Sequence, residues 1–422
     1  MPSPYAGGTP ATQYLAVFIQ AFSKCFVDMT DFPTYTQRIA VSFDYPVHFT
    51  QHVFSADNPL LAETINRLDE HRRHRCAVFV DAGLADALPS LTSQIAGYFD
   101  AHAAKLELVA PLKVIQGGEA AKNGWGIVRE IMSHIGKWRL DRQSFVLAVG
   151  GGAMLDMAGF AASIVHRGLR MVRIPTTSLA QGDAAVGVKT GMDEHGMKNF
   201  VGTFAPPFAV LNDFAFLESL AFEDWIGGIS EAFKVAIIKD ADFFEFLAKN
   251  AARFRQRCSQ PMHQAIYRSA VIHLQHIASG GDPFEMGSAR PLDFGHWSAH
   301  KLESMSGYRL RHGQAVAIGV AIDSYCAMCM GLLSRQQFER IIQGLLETGL
   351  PLWCEEASQR GADGTLAILD GLREFREHLG GELTVTLPRG IGGKCEVHEM
   401  NAHHVEQAVD FLRLRSQAGV HQ

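Results

Sequence analysis

Two histidines, His296 and His300, stand four residues apart in the stretch DFGHWSAHKLE. On a helix this spacing puts both imidazole rings on one face, which suits a metal site, proton transfer or an ordinary packed core. A third histidine, His312, stands just before Gly313 and a long apolar run. Zinc proteases need a glutamate directly after the first histidine, and Trp297 occupies that position here. The sequence therefore excludes that class of hydrolase.

A carboxylate and an ammonium group share one face of another apolar helical run. Glu231 and Lys234 stand three residues apart in ISEAFKVAI, and charged groups in such a run need partners when they are buried. A structural ion pair satisfies that need, and so does a metal ligand beside a substrate-contacting lysine. Two histidines and one carboxylate, with one position left open, make a divalent site of the catalytic type.

Glycines and polar residues follow three strand-like runs in the first half of the chain. VGGGAMLD places three glycines between a strand and a helix, where backbone amides can approach a pyrophosphate. Two further strand ends, GGEAAK and PTTSLAQGD, supply Glu119, Lys122, Thr176, Thr177 and Asp183. Ligands of open α/β sheets lie beyond the carboxyl ends of the strands, so the three segments together predict a cofactor site. A tight turn without a ligand is the alternative for the glycines alone.

A glycine-rich basic segment, VGVKTGMDEHGMKNF, carries Lys189, Lys198 and Asn199. Ammonium and amide donors in such a segment suit a ligand that bears phosphate. Solvated surface lysines are the alternative interpretation.

The elements that must position these residues change character near residue 214. From about residue 43 to 177, apolar strands such as CAVFVDAG and SFVLAVGGG alternate with helical runs, which predicts an open parallel sheet of the α/β class. Beyond residue 214 long helical runs dominate. We therefore predict an N-terminal extension over 1–38, a Rossmann-like α/β domain over 39–213 and a mostly α-helical domain over 214–422. A cleft between the two domains is the expected ligand site.

Composition restricts the partners and the compartment. The 422 residues include 38 basic and 44 acidic ones, a net charge of −6 with histidine neutral, so we expect no nucleic-acid partner. Seven scattered cysteines fit reduced thiols in the cytoplasm, and Cys326 and Cys329 are expected in the core. No apolar run reaches the ~18–20 residues that a membrane span needs, so we expect no membrane partner.

Taken in chain order, these segments resemble the dehydroquinate synthase-like sugar phosphate cyclases. The resemblance covers about residues 78 to 411 and includes GGE..K, GGG...D..GF.AS...RG, PTT.LA..D, K........KN..G, E..K, FGH...H..E and HG..VAIG. It implies an NAD-binding domain, a helical metal- and substrate-binding domain, and a homodimer. It also implies a reaction sequence: transient oxidation by NAD, β-elimination of phosphate, reduction by the same cofactor, and intramolecular aldol closure of a carbocycle.

The resemblance also implies roles for individual residues of this chain. The implied contacts with NAD are Asp81, Glu119, Lys122, Gly151, Gly152, Asp156, Thr176 and Thr177. The implied ligands of Zn²⁺, or of Co²⁺ in its place, are Glu231, His296 and His312. The implied catalytic residues are Lys189, Lys234, His300, Glu285 and Asp183. The implied substrate contacts are Lys198, Asn199 and, from the neighbouring subunit, Arg167.

Departures from the family pattern concern the choice of substrate. Dehydroquinate synthases hold the carboxylate of an acid sugar with a lysine and an arginine. Those positions hold Gln275 and Ala289 here, with Arg290 adjacent, and Asp293 replaces a family asparagine. Loss of a cation and gain of an anion disfavour a bound carboxylate and favour a hydroxyl.

The segments RPLDFGH and REHLGG are more similar to the cyclases that act on sedoheptulose 7-phosphate. That sugar has a hydroxymethyl group in place of the carboxylate. We therefore predict a valiolone-type C7-cyclitol synthase, with Gln275, Arg290 and Asp293 as substrate contacts. The alternatives are 3-dehydroquinate synthase, an NAD- and metal-dependent polyol dehydrogenase, and a binding protein that keeps the fold without turnover. The histidine that this chain retains as His300 is commonly absent from 2-epi-5-epi-valiolone synthases. Val188 of this chain replaces a glycine of the family.

Overall fold

A computed structural model describes residues 34–279, 284, 291–378 and 382–419. Residues 34–43 contain no helix or strand, and the chain from Asp44 on is a separate compact unit. The predicted extension over 1–38 therefore lies mostly outside the described residues. Division of the remainder into two domains near residue 214 stays a prediction.

The strands lie mostly in the first half of the chain, with a short pair near its end. In order they are β1 Val47–Thr50, β2 His74–Asp81, β3 Leu106–Leu108, β4 Lys113–Ile115, β5 Phe145–Gly150, β6 Arg170–Pro175, β7 Lys189–Glu194, β8 Met197–Phe204, β9 Ala209–Asp213, β10 Val385–Pro388 and β11 Lys394–Val397.

The helices are short in the first half of the chain and longer in the second. In order they are α1 Leu60–Ile65, α2 Ala82–Ala87, α3 Leu91–Ala101, α4 Gly126–Lys137, α5 Gly152–Ile164, α6 Phe222–Lys239, α7 Ala241–Arg255, α8 Ser259–Ser279, α9 His296–Met305, α10 His312–Cys329, α11 Arg335–Glu347, α12 Asp370–His378 and α13 Ala402–Gly419.

Seven of the strands form one parallel sheet in the order β1-β9-β6-β5-β2-β3, and β4 also pairs with β2. Alternate residues of a strand contribute to two separate cores. On β5, Val146 and Ala148 pack with α4 and α5, whereas Leu147 and Val149 pack with α1 and α3. A parallel sheet buried on both faces by helices is the predicted α/β class, and this prediction is confirmed.

A third core joins α6 to α11 with α13 and β10. The helical runs predicted after residue 214 are thus present. Within the described residues, two antiparallel hairpins were not predicted: β10–β11, and β7–β8 in the basic glycine-rich segment. The turn of the second hairpin is His195-Gly196, with φ of 53° and 74°, the backbone that two-residue hairpins favour. Cys326 is buried as predicted, but Cys329 is exposed, so that part of the prediction was wrong. Among the described helices none is both long and apolar enough to span a membrane.

Candidate active site

Three side chains from three helices, here called the metal triad, meet at one point. Glu231 lies within α6, whereas His296 and His312 are the first residues of α9 and α10. Nε2 of His296 lies 3.6 Å, and Nε2 of His312 lies 3.3 Å, from Oε1 of Glu231. The three ligand atoms lie within 4.8 Å of one another, so the set fits a divalent cation with two nitrogens and one oxygen.

Each histidine of the metal triad presents Nε2 because its other ring nitrogen is bound. Nδ1 of His296 donates to the carbonyl oxygen of Phe294 at 3.1 Å, and Nδ1 of His312 donates to Oε2 of Glu303 at 3.0 Å. Metal-binding histidines are commonly oriented in this way. Oε1 of Glu231 is buried and accepts no regular hydrogen bond from a described residue. An unsatisfied buried carboxylate oxygen facing two free imidazole nitrogens fits a cation site.

His300 lies beside the metal triad, and the triad's ligand atoms do not include it. Its ring centroid is 5.3 Å from that of His296 and 5.9 Å from that of His312. A second possible set of ligands contains His300, Glu303 and His312, but the carboxylate of Glu303 already accepts from Nδ1 of His312 and from Nζ of Lys198. Burial, together with the charge of Lys198, holds the pKa of His300 well below its usual value. The ring is therefore neutral at pH 7.

Glycines allow the three helices to approach closely enough for these contacts. A Cβ on residue 313 would lie 2.5 Å from Cα of Gly227 and closer still to its carbonyl oxygen. A Cβ on residue 319 would lie 2.9 Å from the carbonyl carbon of Gly295. These contacts bring the start of α10 against α6, and the start of α9 against α10. A larger residue at either position would separate the ligands.

The turn before α9 is held by Asp323, a buried carboxylate on α10. It accepts hydrogen bonds from the backbone N–H of Gly295 at 2.9 Å and from the indole N–H of Trp297 at 2.8 Å. Burial raises the pKa of Asp323 to about 7. Trp297 thus anchors the helix that begins with His296, a role that its position in the sequence did not predict.

Lys234 lies between two carboxylates at the edge of the metal triad. Its Nζ is 2.5 Å from Oε2 of Glu231. Burial alone would lower the pKa of Lys234, but the charges of Glu231 and Asp183 raise it above its usual value. Asp183 lies in the turn Ala180–Ala184 and also faces Nδ1 of His273 at 2.8 Å. His273, from α8, was not predicted from the sequence.

A series of ion pairs begins at His312 and leads away from the metal triad. Nζ of Lys198, on β8, lies 3.0 and 2.9 Å from the two carboxylate oxygens of Glu303 and 2.9 Å from Oε1 of Glu119. Burial opposes ionisation of Glu303, but His312 and Lys198 lower its pKa to about 2. Glu303 was not assigned a role from the sequence, although it ends the motif FGH...H..E.

The same series continues to the glycine-rich strand ends. Nζ of Lys122 lies 3.8 Å from Oε1 of Glu119, 2.9 Å from Oδ2 of Asp156 and 2.7 Å from Oδ1 of Asn199. Burial opposes the charge of Lys122, but Asp156 and Glu119 raise its pKa above its usual value. Residues predicted separately as cofactor contacts and substrate contacts therefore form one charged network.

The other predicted cofactor residues lie at the carboxyl edge of the sheet. Asp81 ends β2 and accepts a hydrogen bond from the N–H of Gly83 at 2.8 Å. A Cβ on residue 117 would lie 2.5 Å from the carboxyl carbon of Asp81, and one on residue 151 would lie 3.4 Å from the methyl group of Thr177. The ends of the paired strands β5 and β6 are followed by Gly151, Gly152, Thr176 and Thr177. This crowded edge is lined by backbone, which suits a pyrophosphate.

Three of the predicted residues are exposed. Arg167 is exposed in the turn Val165–Arg167, where it makes no hydrogen bond or ion pair with another described residue. Gln275 is exposed on α8, and its side chain makes no hydrogen bond within the described ranges. Lys189 begins β7 with an exposed side chain. The catalytic role of Lys189 and the substrate contacts of Arg167 and Gln275 stay predictions.

Asp293 is placed near the metal triad, since its charge acts on the pKa of both Lys234 and His296. It lies in the short turn Pro291–Asp293 that precedes α9. Glu285 and Arg290 lie outside the described residues, so their predicted roles are untested.

Two sequence families match the chain: the 3-dehydroquinate synthase N-terminal family over residues 112–226 and the C-terminal family over 228–368. The 3-dehydroquinate synthase of Campylobacter fetus is 35% identical over 301 residues, which are 71% of this chain and 82% of the relative. That of Paracoccus denitrificans is 35% identical over 324 residues, 75% of this chain and 84% of the relative.

Solved structures of two cyclases are also similar. The 2-epi-5-epi-valiolone synthase of Streptomyces hygroscopicus subsp. jinggangensis, with NAD⁺ and Zn²⁺ bound, matches with a TM-score of 0.79 and 28% identity over 90% of this chain and 100% of that one. A 2-deoxy-scyllo-inosose synthase complexed with carbaglucose-6-phosphate, NAD⁺ and Co²⁺ matches with a TM-score of 0.69 and 20% identity over 86% and 95%; the latter shares the fold. The chain belongs to the dehydroquinate synthase-like family of sugar phosphate cyclases, as its motifs predict.

Proposed function

We propose that this chain converts sedoheptulose 7-phosphate to a valiolone-type C7 cyclitol with loss of phosphate. The observation that carries the proposal is the replacement of the carboxylate-binding pair by Gln275 and Ala289. Asp293 adds a negative charge beside Lys234 and His296, where it would repel a substrate carboxylate. The similarity to a valiolone synthase supports the same substrate class. We also propose that the chain acts as a cytoplasmic homodimer, in which Arg167 reaches the partner's phosphate site.

We propose that the metal triad holds Zn²⁺ or Co²⁺ and that NAD lies along the carboxyl edge of the sheet. When bound, the metal polarises a substrate oxygen and NAD accepts and returns a hydride. Asp81 and the glycines after β5 would bind the dinucleotide. Glu119 and Lys122 would join its pocket to the metal triad through Lys198.

Basic residues beside the metal triad would position the substrate and move protons. Lys234 is charged and lies against Glu231, so it would orient a hydroxyl presented to that carboxylate. His300 is neutral because burial lowers its pKa, so its N–H would donate to the leaving phosphate. Lys189 and Asn199 would supply further phosphate contacts. The three short contacts of Lys198 account for its three N–H groups, so a phosphate would have to displace a carboxylate there.

The substrate proposal is tested by phosphate release from two sugars, each with NAD and Zn²⁺ or Co²⁺. We expect kcat/KM for sedoheptulose 7-phosphate to exceed that for the carboxylated seven-carbon sugar by at least ~10-fold, the difference that one lost charged contact makes. Release from the acid sugar alone would establish 3-dehydroquinate synthase instead. Stoichiometric accumulation of NADH would indicate the polyol dehydrogenase.

Glu303→Gln is expected to weaken metal binding without loss of the fold. The amide is uncharged and has one acceptor oxygen in place of two, so the bond that directs Nε2 of His312 is weakened by competition with Lys198. We expect the Kd for Co²⁺ to rise ~10–100-fold, the usual cost of removing such a partner. The measurement is a Co²⁺ titration followed by visible absorption.

Glu374→Gln is the matched control for that titration. Glu374 pairs with Lys301 at the surface, so its loss should leave the Kd for Co²⁺ unchanged. An unchanged Kd in Glu303→Gln would refute the expected role of Glu303.

A further inference from the structure

Arg173 is a fully buried arginine with no carboxylate partner. It lies on β6, in the middle of the parallel sheet, and is 1% exposed. It forms no ion pair with any carboxylate in the described ranges, although the charge of Asp156 is close enough to act on it. A buried charge is costly unless hydrogen bonds replace its water. The hydrogen-bond partners of the guanidinium therefore indicate the structural role of Arg173.

Those partners are backbone carbonyl groups of a single short segment, residues 185–189. Nη1 donates to the carbonyl oxygens of Ala185 at 3.1 Å and Gly187 at 2.7 Å, and Nη2 donates to that of Lys189 at 3.2 Å. A guanidinium offers five N–H groups in one fixed plane, so this one side chain can donate to three carbonyls at once.

The remaining carbonyls of the same segment are bound as well. The hydroxyl of Tyr45 donates to the carbonyl oxygen of Val186 at 2.9 Å, and the N–H of Ala205 donates to that of Val188 at 2.7 Å. Each of five consecutive carbonyls is thus fixed, three of them by Arg173. Residues 185–188 are buried, whereas the side chain of Lys189 is exposed at the end of the segment.

Residues 185–189, here called the held segment, come directly after a part of the chain that lies beside the metal triad. The held segment begins just after Asp183, and His273, which faces Asp183, has its Nε2 3.3 Å from where a Cβ on residue 187 would be. Residues 185–189 thus connect a carboxylate beside Lys234 to the first residue of β7. The direction in which Lys189 leaves the backbone depends on this connection.

We propose that Arg173 is a positioning residue that holds residues 185–189 and thereby aims Lys189 at the substrate. The role of Lys189 rests on the proposed function, whereas the holding of the segment does not. Val188, which replaces a family glycine, is buried within the same segment, so its packing adds to the restraint.

The test compares Arg173→Lys with Arg170→Lys, a matched change three residues earlier on β6. Arg170 binds Glu70 and lies over Phe145 and Phe208, so these partners are outside residues 185–189. We expect both variants to lose thermal stability. Only Arg173→Lys should accelerate amide hydrogen exchange within 185–190, by at least ~10-fold, because one ammonium replaces a planar set of donors.

A kinetic measurement tests whether loss of the guanidinium displaces Lys189. Arg173→Lys should raise KM for the sugar phosphate ~10-fold with a smaller change in kcat, since a displaced lysine weakens binding of the substrate. Tyr45→Phe, which removes only the bond to Val186, should accelerate exchange in the same segment by a smaller factor. It keeps the proposal testable if Arg173→Lys does not fold.

Exchange within 185–190 that matches Arg170→Lys would overturn the proposal. Faster exchange with an unchanged KM would overturn the part that concerns Lys189. Absence of turnover in the unmodified protein would count against the proposed function only, because the exchange measurement needs no substrate.

Discussion

Glu231→Gln is expected to abolish stoichiometric binding of Zn²⁺ or Co²⁺ and to reduce phosphate release by about 10³-fold. Oε1 of Glu231 is the point on which both histidines of the metal triad converge. The neutral amide supplies neither the charge nor the second oxygen. A catalytic metal contributes several kcal/mol of transition-state stabilisation, which corresponds to about three powers of ten in rate.

Metal content and phosphate release check this prediction together. Glu356→Gln is the control, because Glu356 is also a buried carboxylate and pairs with Arg309. It should retain metal and turnover. A Glu231→Gln protein that still binds one equivalent of metal would show that the ion lies elsewhere.

Gly313→Ala is expected to separate α10 from α6 and to damage the metal site through the backbone. The new Cβ would lie 2.5 Å from Cα of Gly227, with no flexible side chain to move aside. We expect the free energy of unfolding to fall by ~1–3 kcal/mol, the usual cost of overpacking. Because His312 is the preceding residue, the Kd for Co²⁺ should rise at least ~10-fold.

Denaturant unfolding of the metal-free protein separates the two effects, since bound metal would itself add stability. Gly97→Ala is the control: residue 97 lies within α3, and a Cβ there would meet no atom within 4 Å. That variant should gain ~0.5–1 kcal/mol, because alanine is the better helix residue. Equal stability of the Gly97 and Gly313 variants would contradict the close contact.

The family resemblance identified the members of the metal triad, because the residues alone left open which of the histidines bind a metal. His296 stands four residues before His300 in a helical run, His312 precedes a long apolar run, and Glu231 is a charged residue inside another apolar run. The structure places their ligand atoms within 4.8 Å of one another, and their role as metal ligands stays a prediction. The anchoring role of Trp297 was not predictable from the sequence. It depends on a hydrogen bond to Asp323, which is 26 residues away in the chain.

The charged network could not be predicted in the same way. Lys198 and Glu303 are 105 residues apart in sequence, and spacing along the chain describes only which residues share a face of one element. Arg173 did leave a signal, since an arginine within the apolar run RMVRIP must find partners if the strand is buried. Those partners are backbone carbonyls, which no pattern of side chains identifies.

The fold class was predictable because glycines and polar residues mark the ends of β2, β5 and β6, and because these strands are mostly apolar. The hairpin β7–β8 was not, since its residues are glycine-rich and basic and lack the alternation of a half-buried strand. Its register depends on pairing that only the folded chain supplies.

The central claim is most directly tested by NMR of the product formed from sedoheptulose 7-phosphate with NAD and Zn²⁺ or Co²⁺. We predict a carbocyclic C7 product that bears a hydroxymethyl group, one equivalent of inorganic phosphate, and no accumulation of NADH. Unchanged sedoheptulose 7-phosphate, together with conversion of the carboxylated sugar to 3-dehydroquinate, would contradict the claim.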